Sequence, residues 1–313
     1  MKNFFKVHIN EEFMSLESSS FYNIIMFIFG VIALIFNTLE IIVNINNGLY
    51  KQSLYNCIRL YSNFAGVILA VRNFAFSAIN LCYFDSNWFF TSENVCLGRS
   101  IIDVTIVNLF QGAYAVEIVT FAISIVYPIF FMRHVDNKHV KISLGFGILS
   151  ISFLAACMML IGRGRTQPYP GFCVIYNNWT PVFQDFHCFL TAVIMIVVIA
   201  TFFKTRSHIR HMSSEEKFRR NICSFMCWSM LFFLIFGVLP NALLVVSFFM
   251  NLECNFKNVC LDAFYLTVCI SIILPFPFAL WKNKLIRRHF LELPCVPHVV
   301  NKVTTTKTTS LAT

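Results

Sequence analysis

Charge is scarce in this chain. Only 12% of its 313 residues are Asp, Glu, Lys or Arg, against 58% hydrophobic residues, and the mean hydropathy is +0.70. A water-soluble domain of this length carries about twice that share of charge, so a soluble globular fold is excluded and lipid is the expected solvent. Helix breakers are also few, with 11 glycines and 9 prolines, and no glycine-rich linker or internal repeat divides the chain. Ten-residue alternating strands are missing too, which argues against a membrane barrel. A phosphate loop, a zinc-binding HExxH and a serine nucleophile elbow are all absent, so no catalytic role, metal or cofactor is expected. His208 and His211, with Cys223 and Cys227 beyond them, have only a superficial metal-ligand spacing.

What is present is a series of long apolar runs, at about 21–45, 57–83, 98–127, 142–162, 182–203, 222–250 and 259–281. Each can cross about 30 Å of hydrocarbon as a helix, and only helices or closed barrels satisfy their backbone polar groups there. The expected fold is an all-α transmembrane bundle of seven helices. Its segments are an extracellular tail (1–20), the seven-helix domain (21–281) and a cytoplasmic tail (282–313). The acidic Glu11, Glu12 and Glu17 ahead of the first run do not suit a cleaved signal peptide, so that run reads as a retained anchor.

The net charge of +9 does not point to nucleic acid, because the basic residues gather in short connections. Lys51, Arg59, Arg133, Lys138, Lys141, six residues between Lys204 and Arg220, and the tail lie on one side. Lys2, Lys6, Arg99, Arg163, Arg165 and Lys257 lie on the other. The richer side, with the C-terminus, is expected in the cytosol. After the last run, Trp281 to Leu293 mixes basic and apolar residues as a short amphipathic helix on the inner membrane surface would. Cys295 at its end is a candidate for palmitoylation, with a free thiol as the alternative.

Most of the 12 cysteines fall inside apolar runs, where they serve as small packing residues. Cys96 and Cys173 are expected to face an oxidising compartment and to be joined by a disulfide. Cys254 and Cys260 suggest a second, smaller bridge. Asn178-Trp179-Thr180 reads as an N-glycosylation acceptor.

Charges inside membrane spans are functional candidates by default. Arg72 and Asp103 fall at facing depths, Asp103 two helical turns or roughly 10 Å inward from Cys96. They suit either a salt bridge between spans two and three or a site for a polar or ionic ligand. Glu117 lies deeper, with Asn63 or Asn37 as expected partners, or held protonated. Glu40 is the remaining charge in a span. Pro240, Pro275 and Pro277 remove backbone donors and are expected to kink spans six and seven.

Seven spans, an outer N-terminus, the Cys96 and Cys173 pair and these prolines together resemble a rhodopsin-like G-protein-coupled receptor over nearly the whole chain. Asn37 matches the asparagine of span one, and Asn63, in Leu60-Tyr61-Ser62-Asn63-Phe64, stands where that family usually has aspartate. Pro128 follows Thr120-Phe121-Ala122, so Phe121 occupies the position of the family's arginine. Phe236-Gly237-Val238-Leu239-Pro240 is similar to the span-six motif without its tryptophan. Leu274-Pro275-Phe276-Pro277-Phe278 is similar to Asn-Pro-x-x-Tyr with both polar residues replaced.

A degenerate pattern in a phenylalanine-rich chain with short loops looks like the nematode serpentine chemoreceptors. The resemblance implies a plasma-membrane receptor, in sensory cilia for that family, which detects a small external ligand and signals to a heterotrimeric G protein. By position, Asp103 is similar to the residue that contacts amine ligands in aminergic receptors. A seven-span transporter or ligand-gated channel, or a non-signalling receptor-like protein, are the alternatives. Membrane lipid is an expected partner in every case, and homo- or hetero-oligomers stay open.

Overall fold

The computed structural model describes residues 20–52, 54–82, 93–161, 180–210, 227–250, 254–282 and 284–291. Seven helices within them are long and apolar enough to cross a membrane. These are α1 (Ser20–Asn46), α2 (Leu54–Cys82), α3 (Glu93–Val126), α4 (Lys138–Leu160), α5 (Pro181–Arg210), α6 (Cys227–Ser247) and α7 (Cys254–Ile273). α8 (Pro275–Lys282) prolongs the seventh span and α9 (Lys284–Leu291) follows it. No strand occurs among the described residues. The spans agree with the apolar runs, and the helices extend past them where polar residues continue the helical path, as at Leu54 and Arg210.

Neighbouring helices close a ring: α1 packs on α2, α2 on α3, α5 on α6, α6 on α7, and α7 returns to α1. α3 touches α2, α4 and α5 and is the most enclosed span, with 61% of its apolar window buried against 22% for α4. The outward faces are apolar. Phe146, Phe153, Phe189 and Phe203 are each more than 60% exposed, an arrangement that water would penalise and hydrocarbon accepts. This is a multi-pass membrane protein in contact with lipid.

Close approach depends on small residues, as expected where lipid supplies no hydrophobic drive between helices. A Cβ on Gly66 of α2 would lie 2.6 Å from Asn37 Oδ1 of α1, so glycine is what lets that amide sit between the helices. Gly48 serves differently: at φ +62 it ends α1 just beyond Asn46, and its own Cβ would meet nothing within 4 Å.

The prolines shape two spans as their chemistry dictates. Pro240 has no N–H to offer the Phe236 carbonyl, and the chain adopts a π-helical turn over Leu234–Val238 immediately before it. In the seventh span, α7 stops at Ile273 and α8 restarts at Pro275, where the missing donor costs least.

At one end of the bundle, Asp136 holds the connection between α3 and α4. Its Oδ1 accepts from the Leu54 backbone N–H at 2.9 Å and from Lys141 Nζ at 3.0 Å, capping α2 from outside. Asn137 caps α4 through Val140 N–H at 2.9 Å. α9 folds back so that Phe290 packs on Val43 and Leu49 and lies 5.7 Å from the Phe276 ring. Lys51, Arg133, Lys138, Lys204, Arg206 and Arg210 also lie here, and we call it the basic end.

One basic residue is not where its sequence neighbours suggested. Arg59, expected in the first inner connection, lies inside α2 and is 9% exposed. The expected bridge between Cys254 and Cys260 is not made, because Cys260 carries a free thiol. Both cysteines belong to α7, six residues and so about 9 Å of helical rise apart, beyond the reach of a disulfide.

Candidate functional site

The candidate site is a set of polar contacts stacked through the middle of the bundle. Farthest from the basic end, Arg72 of α2 meets Asp103 of α3. Nε donates to Oδ1 at 2.5 Å and Nη2 to Oδ2 at 2.6 Å, and the two side chains are 5% and 0% exposed. This is the two-pronged geometry that a guanidinium and a carboxylate form best. Nη1 of Arg72 donates to Asn73 Oδ1 at 2.8 Å, and Asn73 Nδ2 reaches Cys269 Sγ on α7 at 2.9 Å. The guanidinium also lies over the rings of Tyr265 at 4.4 Å and Phe76 at 5.0 Å. The two expected ligand-site residues are thus brought together, each bonded to the other.

At mid-depth, Asn241 of α6 is the hub. Its Oδ1 lies 2.9 Å from His187 Nε2 of α5, and its Nδ2 donates to Thr191 Oγ1 at 3.0 Å and to Gln111 Oε1 of α3 at 3.3 Å. Pro240 precedes it, so the π turn and this network occupy adjoining stretches of α6. Nearer the basic end, Tyr114 Oη and Ser229 Oγ are 2.8 Å apart, tying α3 to α6. The Tyr114 and Phe233 rings pack beside them in a tilted pair, with centroids 4.5 Å apart.

At the basic end, α1, α2 and α3 converge on Arg59. Its Nε and Nη2 donate to both oxygens of Glu40, at 2.7 and 2.9 Å, and its Nη1 donates to Glu117 Oε1 at 3.0 Å. Tyr55 Oη donates to the same Glu117 oxygen at 3.4 Å. Glu117 therefore bonds to Arg59 and Tyr55 and not to Asn63 or Asn37, the partners expected unless it is held protonated. Asn37 instead donates to the carbonyls of Ala33 at 2.7 Å and Ile272 at 3.2 Å, linking α1 to α7. Asn63 is buried, and its Nδ2 has no hydrogen-bond partner among the described residues. Phe121 is 6% exposed, with its ring 5.3 Å from Tyr55.

Two grooves accompany these contacts. One of about 320 Å³ lies between α2, α3 and α4, is almost wholly apolar and includes Tyr61, Ile68 and Phe146. The other, about 310 Å³, lies between α5 and α6 at the basic end, with Arg206 and Arg210 over Phe202, Trp228 and Leu231.

Cys173, Asn178, Cys295, the N-terminal tail through residue 19 and the tail beyond 291 lie outside the described residues, as does the side chain of Cys96. The expected Cys96–Cys173 bridge, the glycosylation and the palmitoylation fall there. Arg59, His187, Gln111, Thr191 and Asn241 were not singled out from sequence. Arg59 was signalled by its depth, five residues into α2, close to that of Glu40, six residues from the end of α1.

Fold and site together define a class: a seven-helix membrane protein with buried polar contacts joining its helices. The chain matches no protein-family model and no curated protein.

Proposed function

We propose that this protein is a chemosensory receptor of the G-protein-coupled type, resembling the nematode serpentine chemoreceptors. The observation that carries the reading is the position of α3. It packs on α2, α4 and α5 and hydrogen-bonds to α6, and it contributes a bonded polar side chain at every level of the bundle: Asp103, Gln111, Tyr114 and Glu117. A helix so placed feels a displacement at one end of the bundle at the other end, which ligand-driven signalling across a membrane requires.

The concentration of Lys and Arg at the basic end supports a cytosolic position for that end. The groove under Arg206 and Arg210, with the connection around Arg133 and Lys141, offers a basic and aromatic surface to a heterotrimeric G protein. The ligand enters from the opposite end, above Arg72 and Asp103. α9 completes the cytosolic face as an amphipathic helix on the membrane surface. A plasma-membrane location, in cilia of sensory cells, follows from this role.

The test is ligand screening of the surface-expressed protein, read by nucleotide exchange on a panel of heterotrimeric G proteins. Ligand-dependent exchange is expected. A ligand that binds saturably and drives no exchange on any of them would select the competing reading, a receptor-like protein that does not signal. Phe121, standing where the resembled family has arginine, favours that alternative.

A further inference from the structure

The cluster around Arg59 holds two carboxylates for one guanidinium, and Glu40, Arg59 and Glu117 are 5%, 9% and 2% exposed. The two acids are not equivalent. Glu40 commits both oxygens to Arg59, the fork-to-fork geometry of a complete ion pair. Glu117 offers Oε1 alone, which accepts from both Arg59 Nη1 and Tyr55 Oη. Its Oε2 is buried and accepts no hydrogen bond of good geometry among the described residues. An ionised carboxylate would leave a full share of negative charge on that oxygen, in a medium where buried charges neutralise unless paired.

Among the described residues, Arg59 is the cation that faces Glu117. The charged and titratable groups around Glu117 are Glu40 from α1, Tyr55 and Arg59 from α2, and Tyr114 on α3 itself. The Ser62 hydroxyl is buried beside Glu117, within reach of its carboxyl, and as a hydroxyl it can accept from a proton on Oε2 as well as donate to that oxygen.

We infer that Glu117 is a proton-binding site, carrying one proton on Oε2 in the closed bundle. Glu40 and Arg59 then form a one-to-one ion pair, and Glu117 is a neutral acid that accepts through its carbonyl oxygen. Occupation transfers one proton from hydronium in the bulk solvent: an O–H bond breaks on the donor, which leaves as water, and one forms on Oε2. A rearrangement that admits water between α2 and α3 returns Glu117 to an environment where a carboxyl ionises at neutral pH, so opening the basic end releases the proton. This holds whether or not the protein signals.

The test is infrared spectroscopy of the purified protein in lipid nanodiscs, seeking the carbonyl stretch of a protonated carboxylic acid and its shift in heavy water. Glu117→Gln is expected to remove one such band while the protein stays folded, since the amide keeps the shape of the neutral acid. Glu40→Gln is expected to remove the same band, because Glu117 must then ionise to balance Arg59. Tyr55→Phe is expected to keep the band and shift it, since Tyr55 donates to Glu117. The double variant Glu40→Gln/Glu117→Gln leaves Arg59 uncompensated and is expected to lose its folded state. No band lost in Glu117→Gln, or a band unmoved by Tyr55→Phe, would overturn the assignment. So would a Glu117→Gln protein that fails to fold where Glu40→Gln folds.

Discussion

Removing either member of the Arg72–Asp103 pair should destabilise the bundle sharply, and removing both should not. The structure sets the scale. Both side chains are almost fully buried and share two charge-assisted hydrogen bonds, so Asp103→Leu or Arg72→Met alone strands a charge inside the protein. Stranding of that kind costs on the order of 3–5 kcal/mol. The double variant Arg72→Met/Asp103→Leu strands none and fills similar volume with apolar atoms. It is expected to recover at least half of the summed loss of about 6–10 kcal/mol, a coupling of roughly 3 kcal/mol or more. Arg72→Lys should lose less than Arg72→Met but still fall short of wild type, since an ammonium balances Asp103 yet can neither fork onto it nor lie flat over Tyr265.

The assay is equilibrium unfolding in mixed micelles followed by circular dichroism, with surface expression as a parallel readout. Single variants within about 1 kcal/mol of wild type, or a double variant that only adds the two losses, would refute the argument. If Asp103 instead serves an ionic ligand, the single variants reach the surface at normal levels and lose only their response.

Three further outcomes are expected. Asn241→Leu removes the hub of the network joining α3, α5 and α6 and should cost roughly 2 kcal/mol, taking about 0.6 kcal/mol for each of three interhelical bonds in a bilayer protein. The same unfolding assay checks it. Gly66→Ala drives a Cβ onto Asn37 Oδ1 and should cost about 1–3 kcal/mol through overpacking, with Asn37→Ala in the same chain restoring part of it. Asp136→Ala frees the Leu54 amide and should speed its hydrogen exchange selectively, at a cost of roughly 1 kcal/mol. Unchanged protection at Leu54 would show that the cap contributes nothing.

Span number and approximate limits were legible because each helix must carry about twenty apolar residues wherever it sits in the fold. The limits drifted at Leu54 and Arg210, where helices run past the hydrocarbon with polar residues and hydropathy falls before the helix does. Arg59 was misread for the same reason. It follows Lys51, Tyr55 and Asn56 closely in sequence, and only the folded α2 turns it toward Glu40 and Glu117. Arg72 and Asp103 were legible as a pair, since two opposite charges at matching depths have few other ways to be neutralised. The Asn241 network was not, because neutral amides and hydroxyls do not stand out in an apolar run and only the meeting of three helices makes them partners. The bridge between Cys254 and Cys260 depended on where the seventh helix begins, and a start at Cys254 sets the two residues too far apart.

Seven spans with the basic end in the cytosol require a definite membrane topology, which can be measured segment by segment. Engineered glycosylation acceptors, placed singly on the N-terminal tail, in the 204–220 connection and at the C-terminus, report which segments reach the lumen during synthesis. The account expects modification at the N-terminal acceptor alone. Modification at both chain ends or at neither, or at the 204–220 acceptor, would contradict it.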